Sequence, residues 1–209
     1  MPRLLRHFVP LFMILFVHFS STASNWDVAF LAGPSGSDSF ESSDEDDFKL
    51  DTKSGNHAAM VVNYLQRYKG SHRLQYELYV GQTDTDLTLK DLHTLDTQRY
   101  DMNIRYYHIG GTYELSEPDR AMIPFVGASL GMSQFDAESF DTENEFSMGF
   151  SGGFKWLYKE SVGVRVDGRV FATFMDTNSA IFCSGGCIGA VQSDVWWQYQ
   201  ITAGLMARF

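Results

Sequence analysis

Between Asp194 and Phe209, apolar side chains recur at every second position: Val195, Trp197, Tyr199, Ile201, Ala203, Leu205, Ala207 and Phe209. Asp194, Gln198, Gln200, Thr202 and Arg208 stand among the residues between them. A period of two belongs to a β-strand, whose successive side chains point to opposite faces, so the pattern predicts a strand with one greasy and one polar side. In Glu145–Trp156, Phe146, Met148, Phe150, Phe154 and Trp156 likewise oppose Ser147, Ser151 and Lys155. In Val162–Phe174, a row of valines opposes Arg165, Asp167, Arg169 and Thr173. Weaker alternation over Trp26–Gly33, His57–Gln66, Leu74–Asp84, Tyr100–Glu114 and Ala121–Met132 brings the expected total to eight strands.

Long connections at 34–56, 85–99, 133–144 and 175–193 alternate with short ones at 67–73, 115–120 and 157–161. A strand greasy on one side crosses lipid only in a closed barrel, where every backbone N–H and C=O is paired. The expected fold class is therefore all-β, an eight-stranded antiparallel up-and-down transmembrane β-barrel. Short turns belong on the periplasmic side of such a barrel and long loops outside, which puts both termini in the periplasm. Trp26, Tyr68, Trp156, Tyr158 and Phe209 then fall at one membrane boundary, and Tyr100, Phe146, Phe174 and Trp197 near the other. Amphipathic rings favour both boundaries. The rival is a soluble lipocalin-type barrel, apolar inside and charged outside.

The N-terminal residues fit a different job. Arg3 and Arg6 precede an apolar run from Phe8 to Phe19, and Ser21-Thr22-Ala23 supplies small residues for cleavage. The expected organisation is a cleaved signal peptide at 1–23 and a single barrel domain at 24–209. Losing Arg3 and Arg6 would move the formal charge from -10 to -12, which argues against nucleic acid, whose binders carry a basic face. Export to an oxidising compartment makes a disulfide the expected state of Cys183 and Cys187.

With the signal, the eight strands and the closing Gln198–Phe209 segment in place, the chain resembles the small outer-membrane β-barrels of the OmpA/OmpX/OmpW-like group. The resemblance covers essentially the whole mature chain and is not specific to one member of the group. It implies an insertion signal on Tyr199, Ile201, Leu205 and Phe209, read by the barrel-assembly machinery after escort by periplasmic chaperones. It also implies a porin-like cell-envelope location in the outer membrane of a Gram-negative bacterium, in contact with lipid and lipopolysaccharide.

Strand parity expects a lumenal network of Glu77, Arg105, Lys155, Arg165, Asp167, Arg169 and Arg208. An eight-stranded barrel is just wide enough for side chains to fill, and buried charges must pair or hydrate. Two readings follow, a side-chain plug or a narrow path for small polar or amphipathic solutes, cationic by five basic groups to two acidic. Asp38, Glu41, Asp44, Glu45, Asp46, Asp47 and Asp51 crowd the first long segment, and Asp136, Glu138, Asp141, Glu143 and Glu145 the third. Clustered carboxylates suit hard cations, yet no calcium-loop spacing is present. Solvated acidic loops are expected, with weak divalent-cation contact as the alternative.

A lipid-modifying enzyme would need a nucleophile beside a base. His57, His72, His93 and His108 are scattered, and although Tyr106 precedes His108 in its strand and Ser129 is expected on a neighbouring one, no recognisable motif joins it. No catalytic residue, metal site or cofactor is expected. The functional expectation is a structural or surface-interaction barrel that is not an enzyme, with the channel as the alternative.

Overall fold

The period-two segments do become strands. The computed structural model describes residues 25–38, 40–41, 48–52, 54–69, 72–91, 97–115, 121–137, 142–158, 161–175 and 195–209. Its strands are β1 (Trp26–Ser37), β2 (Phe40–Glu41), β3 (Phe48–Thr52), β4 (Gly55–Lys69), β5 (His72–Asp91), β6 (Thr97–Glu114), β7 (Met122–Ala137), β8 (Glu143–Tyr158), β9 (Val162–Phe174) and β10 (Val195–Arg208). All pairings are antiparallel, and eight strands close the barrel in the order β1-β4-β5-β6-β7-β8-β9-β10. β2 and β3 lie outside the ring, with β3 laid along the far part of β5. The segment expected to be a signal, Cys183 and Cys187, and most of the acidic residues of the first loop fall outside the described residues.

Register fixes the geometry. A walk across paired residues from Trp26 passes Tyr64, Tyr76, Gly111, Ala128, Phe150, Val170 and Tyr199, and returns to β1 at Gly36, ten residues along the strand. A stagger of ten over eight strands tilts them on the order of 40° to the axis.

Three of the long connections are shorter than their sequence suggests, the first because β1 runs on to Ser37 and β4 starts at Gly55. β5 continues to Asp91 and β6 begins at Thr97, so most of 85–99 is a hairpin, while β7 and β8 run into 133–144. These segments lie past the apolar belt. Without a lipid face the greasy-polar alternation fades, although hydrogen-bond pairing continues.

The outward face answers the choice between membrane and soluble barrel. Phe30, Leu78, Ile109, Leu130, Phe150, Phe154, Val164, Val166, Ile201 and Leu205 are all exposed outside, whereas Lys155, Arg165, Asp167, Arg169 and Arg208 are buried inside. That is the reverse of a soluble barrel. The apolar surface circles the ring, and Trp26, Tyr64, Tyr68, Trp156 and Tyr158 stand exposed at the tight-turn end.

Candidate functional site: a layered lumen

The lumen is stratified from the tight-turn end to the long-loop end. In the first layer, Lys155 on β8 donates to three acceptors: Asp27 Oδ2 at 2.9 Å, Gln75 Oε1 at 2.8 Å and Glu114 Oε1 at 2.9 Å. Arg208 on β10 closes the ring by donating to Asp27 Oδ1 at 2.7 Å and Glu114 Oε1 at 2.8 Å. Arg73 lies 3.8 Å from Glu114. A fully buried ammonium needs all its protons satisfied; three acceptors from three strands provide that.

Asp167 and Glu77 organise the next layer. Arg165 donates to Asp167 Oδ2 at 2.6 Å, to Glu77 Oε2 at 3.1 Å and to Asn63 Oδ1 at 3.0 Å. Arg169 reaches Glu77 Oε1 at 2.8 Å and Asp167 Oδ2 at 3.3 Å. The guanidiniums also lie on rings, Arg165 at 4.4 Å from the Phe125 centroid and Arg169 at 4.0 Å from that of Tyr79. Planar cations on aromatic faces keep their hydrogen-bonding edge free for the carboxylates.

The two ion-pair layers end there. Above them, Tyr106 and Phe171 stack at 4.4 Å between centroids, and His57 bonds Thr83 and Tyr79 at 2.8 and 2.7 Å. Gly149 makes room for this layer, since a methyl group on it would sit 3.1 Å from the Phe171 ring. His108 touches Ser147 Oγ at 2.9 Å and Ser129 Oγ at 3.3 Å. The hydroxyl chain continues from Ser147 to Ser133 and Thr173, and then to Gln198. Met102, Ile104, Phe135, Ala137, Met175 and Trp196 fill the long-loop end, as part of a buried apolar cluster that also runs down to Ile123, Leu157 and Met206 near the tight turns.

Six of the seven residues assigned to the lumen from sequence, Glu77, Lys155, Arg165, Asp167, Arg169 and Arg208, lie inside and belong to the two ion-pair layers. Arg105 does not. β6 turns its even residues inward, from Met102 to Glu114, so Arg105 faces out and is half-exposed, 3.2 Å from Gln134 and 3.6 Å from Asp136. Tyr106-Tyr107-His108-Ile109 carries amphipathic or apolar groups at both parities, so the pattern cannot choose the face.

Sequence reasoning also missed Asp27, Arg73 and Glu114. With them the ion-pair layers hold five basic groups (Arg73, Lys155, Arg165, Arg169, Arg208) and four acidic ones (Asp27, Glu77, Glu114, Asp167), all buried. The large cationic excess disappears. Asp27 was within reach, because Trp26, Val28 and Phe30 mark its strand's outer face and leave it inside.

His108 does pair with two serines, but Ser147 is wholly buried and His108 nearly so, inside the barrel rather than on its lipid-facing wall. Among the described residues, no cluster of three His, Cys, Asp or Glu side chains could hold a metal ion.

Solved structures share this architecture. Neisserial surface protein A superposes with a TM-score of 0.61 at 12% identity, over 90% of this chain and 100% of that one. OprG from Pseudomonas aeruginosa gives 0.58 at 14% identity, over 89% and 97%. The outer membrane protein AlkL gives 0.52 at 12% identity, over 92% and 95%. The fold is that of the small outer-membrane β-barrels. No protein-family model matches the chain, and no curated protein matches it in sequence. The exposed apolar belt on this fold supports a place for the barrel in a membrane.

Proposed function

We propose that this chain is a plugged outer-membrane barrel that works through its outward surfaces, in a structural or surface-interaction role. The observation that carries the reading is Lys155, fully buried with three acceptors, inside a lumen that two ion-pair layers and an apolar cluster fill. Solute transit would have to break several desolvated ion pairs together, which is costly when only one partner leaves. The tight connections are taken as periplasmic and the long ones as external, so both termini are periplasmic and the acidic segments meet lipopolysaccharide or other surface components. No catalytic turnover is part of this reading.

A narrow solute path is the second reading. It is favoured by one observation: the buried amide nitrogens of Gln198 and Gln200 and the Ser35 hydroxyl lack partners along the β1–β10 wall, and such groups call for water. Single-channel recording on the refolded protein in a planar bilayer separates the two. A silent bilayer, with folding verified by heat-modifiable migration on a gel, is expected. Steady current steps altered by Arg165→Ala and Arg169→Ala would replace the plug with the path.

A further inference from the structure

The outer wall of the barrel is unevenly filled. Over β5 to β8 a groove of about 660 Å³ opens toward the membrane. Gly110 and Ala128 line its floor, and Gly111, opposite Ala128, adds no side chain. Leu78, Ile109, Leu130 and Phe150 line its sides, all of them exposed. At the tight-turn end the groove reaches Trp26, Tyr64 and Tyr76. The Trp26 and Tyr64 rings lie 4.6 Å apart, and the Gln66 amide donates to the Tyr76 hydroxyl at 2.8 Å.

The same end carries an irregularity in the sheet. β4 and β5 pair at Leu65↔Gln75 and next at Arg67↔Leu74, so Gln66 is an extra residue. Such a bulge re-aims the side chains beyond it, and here it gives Arg67 the outward place that regular pairing would assign to Gln66. Arg67 is exposed and takes part in none of the ion pairs among the described residues.

We propose that groove and arginine form a docking site for one glycerophospholipid, its acyl chain in the groove and its phosphate at Arg67. The inference rests on the membrane-barrel reading above, and on the orientation that makes the tight-turn leaflet periplasmic. Position selects the occupant. The groove lies within the apolar belt, where hydrocarbon is the surrounding medium, and Arg67, paired with Leu74 two residues beyond Tyr76, places a cation past its tight-turn end, so its complement is a greasy chain that ends in an anion. Trp26, Tyr64 and Tyr76 mark the depth at which chain gives way to headgroup. The guanidinium fork matches phosphate geometry.

Native mass spectrometry of the full barrel, refolded in detergent with phosphatidylglycerol, diacylglycerol and lipid A offered together, tests the site. One retained phosphatidylglycerol is expected. Ala128→Phe fills the floor and should lower retention of both phosphatidylglycerol and diacylglycerol about tenfold. Arg67→Gln should lower phosphatidylglycerol about two- to fivefold, the scale of an exposed ion pair, and leave diacylglycerol unchanged. If Ala128→Phe does not fold, Leu130→Ala breaches a side of the groove and should show the same joint loss. Equal retention in wild type and the groove variants overturns the site. So does preferential retention of lipid A, which would come from the other leaflet, or a dimer that Ala128→Phe dissolves. A chain that never becomes heat-modifiable refutes the membrane barrel itself, whereas a folded barrel retaining no phospholipid refutes only the site.

Discussion

The two ends of the lumen are packed by opposite means, although the same strands build both. Near the tight turns, Lys155, Arg165, Arg169 and Arg208 are locked to four carboxylates. Near the long loops, Met102, Phe135 and Trp196 meet as an apolar core that leaves one buried carboxylate, Glu145, at that end among the described residues, with Phe135 and Trp196 ring centroids 5.2 Å apart. Between them come neutral hydroxyls, imidazoles and stacked rings. Replacing a buried ion pair by apolar groups is often neutral, whereas removing a single partner is expensive. The charged end is therefore intolerant of single changes, and the apolar end yields in the graded way of any core.

That contrast can be broken at its strongest point. Lys155→Met leaves Arg208 as the one cation still bonded to both buried Asp27 and Glu114 and should cost about 3–5 kcal/mol, read as a lowered urea midpoint for the folded barrel. A loss below that of the other variants here would sink the contrast. Phe171→Ala, at the boundary between regimes, should cost about 3 kcal/mol through the cavity it opens, and in the same titration the slope should stay constant. Ser147→Ala removes one partner of His108 and one of Ser133, for about 1–2 kcal/mol. Thermal melting resolves an effect of that size. Arg105→Gln sits outside both regimes on a half-exposed ion pair, and should shift stability by less than about 1 kcal/mol. A larger shift would mean that Arg105 works with the lumen after all.

Much of the fold was legible because lipid outside and charge inside enforce a period of two. Val162–Phe174 shows it best: valines face out, Arg165, Asp167 and Arg169 face in, and the observed strand has the expected bounds. Legibility failed where that contrast weakens. Arg105 lies in a strand with rings at both parities, so a shift of one residue changes its face. The hairpin over 85–99 stands beyond the lipid. Pairing distances were invisible as well. Nothing local in Glu114 announces Lys155 as its partner, because the contact follows from a ten-residue stagger accumulated around the whole ring. The Arg67 bulge escaped for a similar reason, since an inserted residue shows only against its partner strand.

The seam between β1 and β10 also has a consequence in time. Trp26 and Phe209 exchange backbone hydrogen bonds at 2.8 and 2.9 Å, and Asp27 holds Arg208, 181 residues away in the chain. These closing contacts carry the greatest loop-closure cost, which belongs to a slow step. Until β10 is made, β1 has one unpaired edge facing whatever is nearby, and unpaired edges invite other chains. The finished barrel has no such edge in its ring, so its hazard is confined to the interval before closure. A chain built this way spends its most vulnerable moments waiting for its own last strand, and must be held apart from its neighbours until that strand arrives.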